Sequence, residues 1–92
     1  MLRLLIHGRG DNVAVAVAEL EAGASCQGLN METDQRFEVR AEMDIPLGHK
    51  IALRDFKEGD TIIKYDHDIG RVVAPIKKGE HVHVHNVKTK RW

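Results

Sequence analysis

Phe56-Lys57-Glu58-Gly59-Asp60-Thr61-Ile62 and Ile76-Lys77-Lys78-Gly79-Glu80-His81-Val82 repeat one pattern. An apolar residue is followed by two charged residues, a glycine, an acid and a second apolar residue three positions past the glycine. The glycine takes positive φ at no steric cost, so each centre reads as a tight turn. The flanks are rich in Val and Ile, as strands prefer. A third copy aligns on Gly23, with Leu20 three residues before it and Cys26 three after. Apolar runs lie upstream of the copies at 13–18, 51–53 and 72–74. The glycines are 36 and 20 residues apart, so the unit is a reused strand–turn–strand element and not a solenoid of constant period.

Outward from these turns the chain reads as a mainly β domain. Val13 to Val17 alternate Val and Ala and are expected to form a strand, with a single turn of helix at Ala18 to Glu21. A polar hairpin loop is expected at Gly28 to Asp34, ahead of a strand from Arg36 to Arg40. Strands are expected at Thr61 to Tyr65 and Glu80 to Val87, with a turn region at Asp66 to Gly70. Pro46 and Pro75 argue against long helices through the middle. The expectation is one small domain over 1–92, of short bent strands and hairpins with at most a turn or two of helix. A short basic tail is expected at 87–92.

Composition narrows the function. A chain of 92 residues buries only about 60–65% of the surface that it exposes unfolded. It holds one modest core and a shallow site, so a partner is expected to supply walls for any sizeable substrate. The 14 basic and 14 acidic residues balance, which gives no reason to expect nucleic acid. The lone Cys26 cannot close an intrachain disulfide, and it aligns with the apolar positions Ile62 and Val82, so it reads as a core residue. The apolar run at 2–6 is too short for a signal peptide or a membrane span. A soluble, cytoplasmic protein is expected.

Chemistry-bearing residues fall in three places. In His81-Val82-His83-Val84-His85-Asn86 the alternation would put His81, His83 and His85 on one face of a strand. At about 3.3 Å per residue, only neighbours such as His83 and His85 could share an ion, with a third ligand from elsewhere. Contact with substrate or a subunit, or a merely polar strand face, are the other readings. In Pro46-Leu47-Gly48-His49-Lys50 a tight turn would fix an imidazole beside an ammonium, a pair suited to proton transfer next to a carboxylate. A solvated surface turn is the plainer reading. In His7-Gly8-Arg9-Gly10-Asp11-Asn12 two glycines could aim backbone N–H groups at an anion, or simply make a turn. No complete catalytic motif is present.

Together, DNVAVAV, DIPLGHKIAL, EGDTIIKY, IGRVVAPIKKGEHVHVHN and the tail KTKRW resemble the N-terminal SAF domain of UxaA-type altronate dehydratases and the family's free-standing small subunits. They are also similar to the small subunit of sulfolactate sulfo-lyase. The resemblance implies a β-clip fold and a hydro-lyase small subunit that caps the site of a large partner subunit. The implied substrate is a sugar acid such as altronate, with a sulfonated hydroxy acid as the alternative. A non-catalytic module that recognises a partner or a carbohydrate-like ligand is the competing class. The family often uses a divalent metal, so iron or zinc is expected in the complete complex. Under this reading His49 and Lys50 are catalytic, Asn12, Gly48 and Asn86 contact substrate, and His83 and His85 hold metal. His81, Lys90, Arg91 and Trp92 would face the partner.

Overall fold

The computed structural model describes residues 1–89, all strand, turn and bend, with no helix. Nine strands follow in order: β1 (Leu2–Ile6), β2 (Val13–Ala16), β3 (Ser25–Asn30), β4 (Arg36–Arg40), β5 (Lys50–Ala52), β6 (Thr61–Lys64), β7 (His67–Val72), β8 (His81–Val82) and β9 (Val87–Lys88). Six form one sheet in the order β4-β3-β1-β2-β5-β8, and three form a second in the order β6-β7-β9. β1 and β3 run parallel and the other pairs antiparallel. The run at 2–6, too short to cross a membrane, is thus a sheet strand. No helix is long and apolar enough to cross a membrane among the described residues.

The glycine unit occurs four times, not three. Gly23, Gly48, Gly59 and Gly79 all have φ between 86° and 95°. Each sits third in a turn closed by a backbone hydrogen bond: Ala24 to Glu21, His49 to Pro46, Asp60 to Lys57 and Glu80 to Lys77, at 2.9–3.1 Å. Positive φ at that position is the signature of a type II turn. The fourth copy escapes the sequence pattern because Pro46-Leu47 replaces the charged pair. Its apolar positions still hold, with Ile45 three residues before Gly48 and Ile51 three after.

The units pair two by two. Leu20 and Ile45 exchange backbone hydrogen bonds of 2.9 Å each way, and Phe56 and Ile76 do so at 2.7 and 3.0 Å. The first pair brings Leu20, Cys26, Ile45 and Ile51 into one buried cluster. The second brings Phe56, Ile62, Ile76 and Val82 into another. The fold is therefore two similar halves, each with a hairpin between its units: β3–β4 in the first and β6–β7 in the second. Gly28 lets the Phe37 ring lie across β3, because a Cβ there would push the ring aside.

Several local expectations give way to this pairing. No helix turn forms at Ala18 to Glu21, because Leu20 spends its backbone groups on Ile45. Gly28 to Asn30 belong to β3, so the loop is shorter than expected. The turn after β6 is Tyr65-Asp66, both at positive φ, and β7 already starts at His67. Two positive-φ residues between paired strands make the turn whose twist suits a hairpin. Val87 and Lys88, expected in a tail, pair with β7 instead. Lys90, Arg91 and Trp92 lie outside the described residues.

The segment Glu80 to Val87 departs most from expectation. β8 ends at Val82, and 83–86 turn back to start β9. Val84, which a continued strand would place on the face opposite the histidines, sits on this turn and is 77% exposed. Val84→Asp is therefore expected to move stability by no more than about ±0.5 kcal/mol. A urea melt checks it, and a collapse of the transition would restore the strand.

The loop at 7–12 binds an anion of its own chain. Asp11 accepts backbone N–H bonds from Gly8 (3.0 Å), Tyr65 (3.0 Å) and Asp66 (2.8 Å), and Asp66 accepts one from Gly10 at 2.6 Å. Partial burial pushes the Asp11 carboxyl up, but the backbone N–H groups of Asp66, Tyr65, Gly8 and His7 outweigh it. The net position is below 3.8. Because the folded value is depressed, this contribution is complete above pH 3.8 and is lost as pH falls through the lower folded value. Asp11→Asn is expected to cost about 1.5 kcal/mol at neutral pH, the low end for a charged hydrogen-bonding group. It should also shallow the acid limb of a stability–pH curve, and an unchanged limb would assign that limb to other groups.

Candidate functional site

The turn at Gly48 and the end of β8 meet because β5 pairs with β8, with Lys50 opposite Val82 and Ile51 opposite His81. His49, just ahead of β5, thereby comes beside the histidines that follow β8. Its Nδ1 lies 2.8 Å from Nε2 of His81. The rings of His49 and His83 stack at 4.2 Å, and those of His81 and His83 at 5.3 Å. One ring nitrogen from each of His49, His81 and His83 falls within 4.8 Å of the others. All three side chains belong to half-buried residues.

Asn86 shapes this cluster from beneath. It is 7% exposed, the one buried polar residue among those described. Its Nδ2 donates to His81 O at 2.8 Å and its Oδ1 accepts from His83 N at 3.0 Å. The backbone N–H groups of Asn86 and Val87 both donate to His83 O, at 3.1 and 3.0 Å. These bonds offer the backbone an alternative to continuing the ladder, which is why the chain turns at His83.

The environment disfavours the charged form of two of the imidazoles. Burial, followed by the neighbouring His49, His85, His83 and Lys50, pushes His81 down to about 4. Burial and then His49, Lys50 and His85 also lower His83. His83 Nδ1 is buried and has no hydrogen-bond partner among the described residues. Lys50 is half-buried, and burial followed by the positive charge of Lys64 lowers its pKa below 10.5. Lys50 and His83 line one groove of about 220 Å³ together with Ile62, Ile69, Val82 and Val84.

The expected site residues separate into groups. His49, Lys50, His81 and His83 come together. His85 is exposed, with its ring 5.3 Å from that of His81, and stands outside the His49–His81–His83 group. Asn12 is spent on β6: its Nδ2 donates to Thr61 O at 2.9 Å, and its Oδ1 accepts from Ile63 N at 2.8 Å. The Gly48 N–H donates to Ala16 O at 2.7 Å. Lys64 joins the electrostatics of the site although motif reading does not single it out. Its signal was its place at the end of β6, a strand visible in the sequence.

Comparison with known proteins adds a second line. A family model described as the altronate/galactarate dehydratase SAF domain matches residues 2–90. The alpha subunit of (2R)-sulfolactate sulfo-lyase from Chromohalobacter salexigens is 52% identical over 89 residues, covering 96% of this chain and 95% of that one. Its counterpart from Paracoccus pantotrophus is 57% identical over 56 residues, covering 61% of this chain and 84% of the relative. The altronate dehydratase of Bacillus subtilis is 39% identical over 84 residues, 91% of this chain but 16% of that enzyme.

Proposed function

Because this chain belongs to the altronate/galactarate dehydratase SAF domain family, we propose that it is the small subunit of a two-subunit lyase that cleaves the carbon–sulfur bond of (2R)-sulfolactate. The observation that carries this reading is end-to-end similarity to a sulfo-lyase alpha subunit, spanning 96% of this chain and 95% of the relative. The dehydratase similarity is lower and occupies only a small part of those enzymes. The leading sequence expectation, dehydration of altronate, accordingly yields to the sulfonated alternative. A large subunit supplies the remaining walls of the site.

The reaction is a β-elimination. A base removes the proton on C2, its electron pair forms the C2–C3 double bond, and the C3–sulfur bond breaks with both electrons leaving on sulfite. The enol of pyruvate remains and tautomerises to the ketone. The substrate carries a carboxylate and a sulfonate, so two negative charges need partners. Lys50 is the candidate on this chain. The repulsion that it feels from Lys64 is relieved when an anion enters between or beside them. Burial and like-charged neighbours disfavour the charged forms of His81 and His83, so the Lys50 and Lys64 ammonium groups are the candidates to supply the positive charge. His49 Nδ1 is engaged by His81, which leaves its Nε2 as this chain's candidate for accepting the C2 proton.

The test is reconstitution with the large subunit and assay of sulfite release from (2R)-sulfolactate, with altronate in parallel. Sulfite release that requires both chains is expected, with the small chain inactive alone. Dehydration of altronate without sulfite release would move the protein to the dehydratase branch.

A further inference from the structure

We infer that His49, His81 and His83 form a binding site for one divalent transition metal, with the remaining coordination positions open to a ligand from outside the domain. The inference stands on the geometry of this chain and does not depend on the sulfo-lyase reading. One ring nitrogen from each residue already lies within 4.8 Å of the others. A tetrahedral ion with metal–nitrogen bonds of about 2.1 Å needs nitrogens about 3.4 Å apart. The ring nitrogens must therefore close in by up to about 1.4 Å, a movement that side-chain torsions of His49, His81 and His83 would have to supply. The rings now stack face to face, at 4.2 Å for His49 and His83, so coordination would tilt them until their in-plane lone pairs converge.

Two features separate this cluster from a chance gathering of histidines. The first is the unmet nitrogen. A buried polar atom normally has a partner, yet His83 Nδ1 has none among the described residues. The second is the support. His49 is fixed by the positive-φ turn at Gly48, and His81 and His83 by the side chain of Asn86. Such support fixes the backbone from which the three rings project, so only side-chain rotation is left to the ion.

The donor chemistry narrows the ion. The group holds three imidazoles and neither carboxylate nor thiolate. Imidazole suits zinc, iron, copper and nickel, and not magnesium or calcium. Three protein ligands with an open position is the pattern of a site that meets substrate or water, whereas structural zinc sites close with four. His85 is left out of the set, although its ring lies near His81.

The experiment is cobalt(II) titration of the untagged full chain, followed by its visible absorption, with zinc competition. Cobalt is expected to bind at one ion per chain with the visible bands of a low-coordinate ion, and zinc to displace it. His49→Ala, His81→Ala and His83→Ala should each weaken binding by more than about 10-fold, since loss of even a hydrogen bond supporting a ligand costs about 10–100-fold. His85→Ala should change it less than about 3-fold, given that exposed groups outside a ligand set contribute little. Circular dichroism identifies any variant that fails to fold, and zinc-induced shifts of the wild-type imidazole resonances then report the ligands without substitution. Absence of stoichiometric binding, unperturbed His49, His81 and His83 resonances on adding zinc, or binding that is lost with His85 but kept without His49, would overturn the inference.

Discussion

Gly79→Ala abolishes the cooperative fold, while Gly59→Ala leaves a folded domain weakened by about 1–2 kcal/mol. Both glycines hold the same backbone conformation, at φ 90° and 95°. Both variants therefore suffer the left-handed strain of an L-residue. What differs is the space. A Cβ at Gly59 meets nothing within 4 Å. A Cβ at Gly79 would fall onto the carbonyl oxygen of Arg40 and lie 3.0 Å from Cγ of Glu42. That backbone cannot retreat cheaply, because Glu42 N donates to Gly79 O at 2.9 Å and Gly79 N to Ala52 O at 2.9 Å. The bond from Glu42 joins the second half of the domain to the first. A cost above about 4 kcal/mol is expected, most of the stability of a domain this size. Urea melts of the two variants side by side check it. Midpoints that agree within error would show that the turn at Gly79 is looser than it stands here.

Lys50→Met lowers kcat/KM of the two-subunit enzyme by about 10²-fold, about 2.7 kcal/mol of transition-state stabilisation. The substitution spares the fold, since β5 pairs through its backbone. It is expected to stabilise the domain slightly. Burial and Lys64 disfavour the charged form, so the folded pKa lies below 10.5. Charged Lys50 thus costs stability at neutral pH, and the cost is relieved as pH rises from the lowered folded value to 10.5. Higher stability with lower activity separates a functional ammonium from a structural one. The pH profile offers a second readout. Activity should fall as pH rises through the depressed pKa of Lys50, and Lys64→Met should move that limb to higher pH by removing a like charge. Full activity of Lys50→Met would take this side chain out of the site.

The core was legible from residues alone. Leu20, Cys26, Phe56, Ile62, Ile76 and Val82, assigned by their distance from turn glycines, are all buried. Local chemistry suffices there, because a glycine that must take positive φ fixes the direction of its flanks, and the apolar flanks must then be covered. The same reasoning identified the β content of the domain. It missed the copy at Gly48 only because that turn is built with Pro46.

The site was legible in composition but not in geometry. His49, Lys50, His81 and His83 all stood out, yet nothing local joins His49 to His81 across 32 positions. That meeting requires β5 to lie beside β8, a pairing set by how the two halves bury their clusters. The alternation from His81 to His85 gave a strand by periodicity, and one buried side chain overruled it. Asn86 offers two hydrogen bonds to the backbone of His81 and His83, and in a buried position those outweigh the pull of a two-residue period. Residue types determined which chemistry this protein carries. Only the tertiary pairing decided which imidazoles share it, because convergence depends on strands far apart in the chain and on a polar group whose partners exist only once the fold has closed.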